Sequence, residues 1–328
     1  MTEFTEFVAG ANDAGRRLDR VVRKFLGEVS LGAIYRAIRT GSVLVNGAKR
    51  REDYRVHSGD KLRFAKKLID ESDLQTSDRP GETDPARAEP AVSLTAPIVF
   101  ENEHILILNK PRGMLVHGHD SLEQEVRAYL TPKLPPSLSF RSGPLHRIDR
   151  NTSGLVTFGI SIRGAERFTE LLSAGQIRKI YLALVDGTLR RAAVWTDPLA
   201  RDTAHRVTRI DPSGKTAVTR AIPLISAKGR TLAAIEIETG RTHQIRAQAA
   251  LHGHPLSGDR KYGSIHVHPY LLHAFLLRPS RLDPILGFAS LSAPLPPAAT
   301  KLLRAFFDSQ KLARALRQAD RMAESDVA

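Results

Sequence analysis

The chain has 328 residues, 41% of them hydrophobic, which is enough for two domains with sizeable cores. Its net charge of +14 and its pI of about 10.3 favour a polyanionic partner, nucleic acid before an anionic membrane surface. The absence of cysteine excludes disulfides, thiolate nucleophiles and cysteine-ligated metal sites, and it fits a cytoplasmic protein. No apolar run is long enough to predict a membrane span.

A small basic module is predicted over residues 15–65. Apolar residues at helical spacing predict a first helix over 17–26, and a second helix over 30–39 begins with Ser30 as its N-cap. The segment 43–47 reads as a strand that ends in an Asn-Gly turn, and an alternating strand follows. The module is therefore predicted to be a compact α+β domain.

Basic side chains accompany the two predicted helices of this module. If they share one surface, they form a track for the phosphate backbone of a nucleic acid. The alternative is a solvated basic face without a partner. The candidate RNA-binding residues are Arg20, Arg23, Lys24, Arg36 and Arg39.

The composition changes sharply after this module. Residues 70–90 are acidic, carry proline, glycine and serine and show no apolar period, which predicts a flexible linker over 66–95. From 96 to 310, apolar runs alternate with turns as in a compact mixed α/β domain. A C-terminal helix and tail are predicted over 311–328.

One carboxylate stands out in the large domain. The segment His146–Leu155 places Asp149 between Arg147 and Arg150. Nearby positive charge favours an ionised carboxylate, so Asp149 is predicted to act as a nucleophile or base rather than as an acid. An aspartate paired with arginine in a surface loop is the alternative.

The string His-Arg-Ile-Asp-Arg-Asn-Thr-Ser-Gly-Leu over 146–155 resembles the catalytic motif of the pseudouridine synthases that modify ribosomal and transfer RNA. Three further segments match motifs of this family: Lys-Pro-x-Gly-x-x-Val-His over 110–117, Lys-x-Tyr over 179–181, and Gly-Arg-Thr-His-Gln-Ile-Arg over 240–246. The first of them favours the synthases of large-subunit ribosomal RNA that are designated C and D. The last of them is predicted to open a helix that is capped near Thr242. The basic module resembles the S4 domain, which binds structured RNA.

This resemblance implies a pseudouridine synthase fold, mixed α/β with a largely antiparallel sheet, beside a small α+β RNA-binding domain. It implies isomerisation of specific uridines to pseudouridine, most naturally in large-subunit ribosomal RNA. The reaction gains or loses no electrons overall, so neither a cofactor nor a metal is expected. The expected partner is ribosomal RNA, with no membrane, and the protein is expected to act as a monomer.

The resemblance also assigns roles to residues. Asp149 attacks or deprotonates the ribosyl unit, and Arg246 pairs with Asp149 and keeps it ionised. Tyr181 packs against the uracil and is a candidate base in the second half of the reaction. The remaining substrate-binding candidates are Arg147, which helps to flip the base, Ile245, which shapes the uracil pocket, Arg241 and His117.

Two other functions remain open at this point. One is an RNA-binding ribosome-assembly factor with a catalytically silent synthase domain, which the joint presence of Asp149, Tyr181 and Arg246 disfavours. The other is a metal-dependent nuclease, which the lack of a histidine–carboxylate cluster in the sequence disfavours. Clustered histidines at 243, 252 and 254 are predicted to be structural, since no carboxylate joins them at a ligand spacing.

Overall fold

The computed structural model describes most of the chain. The described residues are 2–27, 29–73, 94–205 and 207–322. The predicted linker is covered only at its two ends, because 74–93 lie outside the described residues. The last residues of the predicted C-terminal tail, 323–328, also lie outside them.

The described residues form two compact units. The first is drawn from residues 1–93, 125–143 and 160–163, and the second from 94–124, 144–159 and 164–328. Two segments that follow the linker in sequence therefore pack with the N-terminal module.

Among its described residues, and besides parts of α-helices that it shares with the second unit, the first unit contains three complete helices and one sheet of three strands. They are β1 (Phe4–Val8), α1 (Leu18–Leu26), α2 (Leu31–Thr40), β2 (Val43–Val45), β3 (Lys61–Ala65) and α3 (Lys66–Asp73). The antiparallel strand order is β1-β3-β2. As predicted, Ser30 caps α2 by accepting from the amide of Ala33, and Gly41 ends it in the left-handed conformation. Asn46 and Gly47 both have positive φ, as a tight hairpin turn requires.

Helix α1 separates apolar from basic side chains. Its apolar face is buried against β3 and α2, where Phe25 lies 4.6 Å from the ring of Phe64. Because Arg20, Arg23 and Lys24 are three and four positions apart, they share the opposite, exposed face. The core of the unit thus fixes which way these cations point.

The second unit is built on one large sheet. Its elements are β4 (Ile98–Glu101), β5 (Ile105–Lys110), α4 (Leu122–Leu130, shared with the first unit), β6 (Ser153–Gly159), α5 (Ile162–Ser173), β7 (Ile177–Asp186), β8 (Ala193–Asp202), β9 (Val207–Ile210), β10 (Lys215–Ala227), β11 (Arg230–Ile237), α6 (Gln244–Leu251), a 3₁₀ helix (Arg260–Tyr262), β12 (Leu272–Pro279), β13 (Leu291–Ser292), α7 (Pro297–Phe306) and α8 (Ser309–Arg321). The strand order is β4-β5-β6-β12-β7-β11-β10-β8-β9, with β13 beside β12. Neighbouring strands are antiparallel except β6 and β12, which confirms the predicted mixed α/β class with a largely antiparallel sheet.

Within the described residues, no helix has the length and apolar character that a bilayer crossing requires.

The two faces of the central strands have different neighbours. Ile180, Leu182 and Leu184 of β7 are buried in a core with α7 and α8. Since side chains alternate along a strand, Tyr181 projects from the opposite face. The central sheet therefore has a helix-covered face and a face that is left for a site.

The glycine of the Thr-Ser-Gly motif is required by the strand pairing. Gly154 has a φ of +110° and pairs in parallel with Ala274 of β12. A Cβ at this position would lie 2.2 Å from the carbonyl oxygen of Ala274, which is too close for any side chain. This glycine lets β6 join β12 directly after the Asp149 loop.

Candidate active site

Six of the seven predicted catalytic and substrate-binding residues meet in one cleft of the second unit. The cleft is open to solvent and has a free volume of about 100 Å³. The predicted residues that line it are Arg147, Asp149, Tyr181, Arg241, Ile245 and Arg246. Motifs that lie up to a hundred positions apart in the sequence are thus brought together by the sheet.

His117 is not among the residues that line this cleft. Its ring contacts the carboxylate of Glu123, and its side chain is 73% exposed. The substrate-binding role assigned to His117 therefore stays a prediction.

The Asp149 loop is fastened by the loop that follows β5. Arg150 makes two hydrogen bonds to Gly113. Its carbonyl accepts from the Gly113 amide at 2.8 Å, and its side-chain Nε donates to the Gly113 carbonyl at 2.8 Å. Arg112 donates to the carbonyl of Asn151 at 2.7 Å. Two sequence motifs thus form one structural unit that holds Asp149 in place.

Lys110 lies fully buried beneath these loops. Its ammonium donates to the carbonyl oxygens of Pro111, Met114 and Arg150 at 2.9, 2.8 and 3.1 Å. Burial lowers the pKa of Lys110 to about 8, and the nearby Asp149 carboxylate opposes this shift. The lysine of the Lys-Pro motif therefore links the two loops from inside.

Arg246 lies between two carboxylates. Its Nε and Nη2 donate to Asp259 at 2.6 and 2.9 Å, a bidentate pair between two buried side chains. Its Nη1 lies 3.8 Å from Asp149 Oδ2. The rings of Tyr262 and Tyr270 lie 4.7 and 4.9 Å from the guanidinium carbon. Arg246 is therefore fixed by Asp259 and presents its remaining nitrogen to Asp149.

The electrostatics of Asp149 differ from the prediction in one respect. Burial raises the pKa of this carboxyl above its ordinary value, and Arg246, Arg147 and Arg201 oppose the shift. Arg147 is thus one of the charges predicted to hold Asp149 ionised, whereas the Arg150 side chain donates from Nε to the Gly113 carbonyl.

Tyr181 lies on the cleft side of β7 and is 7% exposed. Burial, together with the charge of Asp149, raises the pKa of its phenol well above the ordinary value. At neutral pH the side chain is therefore a protonated ring that can pack against a flat base and donate a hydrogen bond.

The cap of α6 lies at His243, one residue beyond Thr242, near which it was predicted. The helix begins at Gln244, and the residue before it, His243, is in the left-handed conformation with a φ of 53°. The Gln244 side chain stabilises this turn by accepting from the amide of Arg241 at 3.0 Å and the hydroxyl of Thr239 at 2.8 Å. The unusual backbone places the His243 ring in the cleft, with Nε2 3.8 Å from Asp149 Oδ2.

The other two histidines of this region have separate partners. His252 stacks on Trp195 at 5.2 Å, and His254 contacts the carbonyl of Asp186. Their positions agree with the structural role predicted for them.

Three residues of the site were missed by sequence reasoning. Asp259 falls in the Gly-Asp-Arg-Lys-Tyr run over 258–262, which fits the family pattern without indicating a role for the aspartate. His243 lies inside a recognised motif, but the sequence predicts only a structural role for it. Arg201 comes from β8, and no sequence signal identifies it.

The predicted RNA-binding cations of the first unit lie in two places, in a groove beside α1 and on the surface of α2. Arg20, Arg23 and Lys24 of α1 line a groove together with Arg16 and Arg141. Arg36 and Arg39 are exposed on α2 and are not among the residues that line this groove.

A buried aspartate anchors the segment that carries Arg141. Asp13 accepts from the Gly10 amide, from the Leu138 amide, and from both the amide and the hydroxyl of Ser139. Arg16 donates to the Ser139 carbonyl at 3.0 Å. A segment distant in sequence is thus bonded to the N-terminal module beside the groove.

Comparison with protein families identifies both modules. The RNA pseudouridylate synthase model matches residues 104–251, and the S4 domain model matches residues 16–62. Ribosomal large subunit pseudouridine synthase C of Vibrio vulnificus is 31% identical over 255 residues, which is 76% of this chain and 77% of the relative. The protein of the same name from Escherichia coli strain K12 is 31% identical over 257 residues, covering 77% of this chain and 78% of the relative.

The chain belongs to the RNA pseudouridylate synthase family. It is therefore an isomerase that acts on uridines in RNA. The solved structure of human RNA pseudouridylate synthase domain containing 1 has the same fold, with a TM-score of 0.54 and 22% sequence identity. The match covers 70% of this chain and 97% of the human one.

We predict that Lys110→Met destabilises the synthase by about 3 kcal/mol or more, because three buried carbonyls lose their donor. Chemical denaturation measures the loss of unfolding free energy. Lys301→Met, on the exposed side of α7, is the control and is expected to change stability by less than about 0.5 kcal/mol. Equal stability of both variants would show that Lys110 does not hold the loops.

Proposed function

We propose that this synthase converts specific uridines of large-subunit ribosomal RNA to pseudouridine. The names of the bacterial relatives and the presence of an S4 domain support this target. The single observation that carries the catalytic proposal is the cleft in which Asp149 faces Arg246 and Tyr181. Such a complete set argues against a catalytically silent assembly factor. A ribosomal substrate implies a cytoplasmic location, and we propose that a monomer acts there.

Asp149 is proposed as the group that attacks or deprotonates the ribosyl unit. An ionised carboxylate is required for either route, and Arg246 supplies a fixed positive charge within 3.8 Å of it. The pairing with Asp259 supports this role, since it fixes the direction in which Arg246 points.

Tyr181 is proposed to pack against the uracil. The raised pKa of its phenol disfavours the second role considered for it, that of a base, because a base must first be unprotonated. Ile245, which is buried at the same cleft, completes an apolar wall for the base.

Arg147 is proposed to assist base flipping. A uridine must leave its stack before it reaches the partly buried carboxylate of Asp149, which costs a few kcal/mol. Arg147 is exposed and lines the cleft beside Asp149, so its side chain is suited to fill the space that the base vacates. Arg241 is likewise exposed at the cleft, where it is proposed to contact phosphate.

Replacement of Asp149 by asparagine tests the catalytic assignment. We expect turnover of ribosomal RNA to fall by at least about four orders of magnitude, since the amide keeps the shape but is neither nucleophile nor base. RNA affinity should stay close to that of the parent. Pseudouridine mapping measures the turnover, and a binding titration measures the RNA affinity. Asp308→Asn, at the cap of α8, is the control. Turnover by pure Asp149→Asn within about a hundredfold of the parent would refute the assignment.

The groove of the first unit is proposed to bind the RNA backbone. Its cations come from α1, from Arg16 and from Arg141, and the Asp13 anchor supports a fixed arrangement of them. A contiguous groove of positive charge is suited to follow a chain of phosphates.

The salt dependence of RNA binding distinguishes this groove from α2. Removing two phosphate contacts with Arg23→Gln and Arg141→Gln should reduce the slope of log affinity against log salt by about 1.4–1.8. The matched pair Arg36→Gln and Arg39→Gln should leave the slope nearly unchanged. If only the α2 pair reduced the slope, the RNA would bind on α2. If neither pair changed the slope, both surfaces would be solvated faces without an RNA contact.

A further inference from the structure

The ring of His243 faces the carboxylate to which the proposed function assigns catalysis. Its side chain is 14% exposed, and Nε2 lies 3.8 Å from Asp149 Oδ2. The same carboxylate oxygen lies 3.8 Å from Nη1 of Arg246. Two side chains from one short segment therefore approach Oδ2.

The contacts on the other ring nitrogen determine where the imidazole proton lies. The Tyr262 hydroxyl is 2.8 Å from Nδ1 of His243 and already accepts the backbone amide of Thr208 at 2.9 Å, so its own proton is directed to Nδ1. Arg201 Nη1 lies 3.3 Å from the same nitrogen, and a guanidinium can only donate. With donors around it, Nδ1 is the acceptor, and the ring proton is on Nε2.

The charges around the ring keep it neutral. Burial, with the positive charges of Arg246, Arg201 and Lys261, lowers the pKa of His243 to about 4, and Asp259 opposes this only in part. At neutral pH the ring therefore offers Asp149 a polar N–H without a positive charge. It cannot serve as a base towards the cleft, because the nitrogen there already carries the proton.

We propose that His243 is a positioning residue for the isomerisation: its Nε2–H and the Nη1–H of Arg246 hold Oδ2 of Asp149 from two directions, and Oδ1 is presented to the ribose. This inference rests on the proposed role of Asp149. A separation of 3.8 Å is longer than a hydrogen bond, and such contacts close up when substrate is bound and water is displaced. The left-handed turn before α6 serves to bring this N–H to the carboxylate.

Replacements at His243 test the role of the N–H. His243→Ala should lower the saturating single-turnover rate on ribosomal RNA about 10- to 100-fold, as expected for loss of a hydrogen bond to a charged group. His243→Gln, whose amide N–H can replace Nε2–H, should recover the rate to within about threefold. RNA affinity and melting temperature should be close to those of the parent in both. A rate for His243→Ala equal to that of the parent would overturn the proposal.

Tyr262→Phe tests the control of the tautomer. The phenyl ring keeps the contact with Arg246 but removes the proton directed to Nδ1. We expect this change to lower the rate in the parent and to have much less effect in the His243→Gln background, where there is no tautomer to set. The Thr208 amide loses its partner in both backgrounds, so that cost cancels in the comparison. Equal effects in the two backgrounds would show that Tyr262 does not act through His243.

Two readouts separate this inference from the proposed function. Nitrogen NMR of the ring, which needs no activity, should show a protonated Nε2 and an unprotonated Nδ1; the reverse would overturn the proposal. Between about pH 5.5 and 8, the rate of His243→Gln should depend on pH in the same way as the rate of the parent. If a rise or fall of the rate with pH were present in the parent and absent in His243→Gln, His243 would titrate in the reaction. Failure of the parent to form pseudouridine contradicts the proposed function instead.

Discussion

The chemistry of the cleft depends on one arginine held between two carboxylates. Asp259 engages Nε and Nη2 of Arg246 and leaves Nη1 directed at Asp149. Burial alone disfavours the charge on Asp149, so the fixed guanidinium is needed to keep the carboxylate ionised in a cleft from which a base displaces water. The neutral ring of His243 adds a donor without adding a charge. The same oxygen is therefore both charged and oriented.

The fold supplies the rigidity that this arrangement requires. The carboxylate is on a loop, but the loop is bonded to the Gly113 turn and to the buried ammonium of Lys110. Directly after the loop, Gly154 lets β6 run beside β12, and Tyr181 projects from the adjacent β7. Loops are usually more mobile than the elements they connect, and here the buried ammonium of Lys110 and the sheet hold the Asp149 loop in position.

Local signals predicted the elements well, because caps, turns and apolar periods depend on neighbouring residues. Ser30 and the Asn46-Gly47 turn are examples, and residues of the recognised motifs line one cleft. Contacts between residues that the fold brings together were not predictable from the sequence. Examples are the pairing of Asp259 with Arg246 and the approach of Arg201, which lies on β8, to Asp149. Arg150 illustrates the reverse case, since this neighbour of Asp149 in sequence bonds to Gly113, a partner that the sequence does not indicate. Packing of 125–143 with the N-terminal module likewise depends on distant contacts around Asp13.

The pKa of the Asp149 carboxyl tests the central claim most directly. Carbon NMR of the labelled carboxyl can follow its titration in the parent, in Arg246→Gln and in Arg241→Gln, a cleft-lining control. The account predicts that the pKa rises by about 1–3 pH units when Arg246 loses its charge and that it rises much less in the control. A pKa that is unchanged or lower in Arg246→Gln would contradict the claim that this arginine keeps the Asp149 carboxylate ionised.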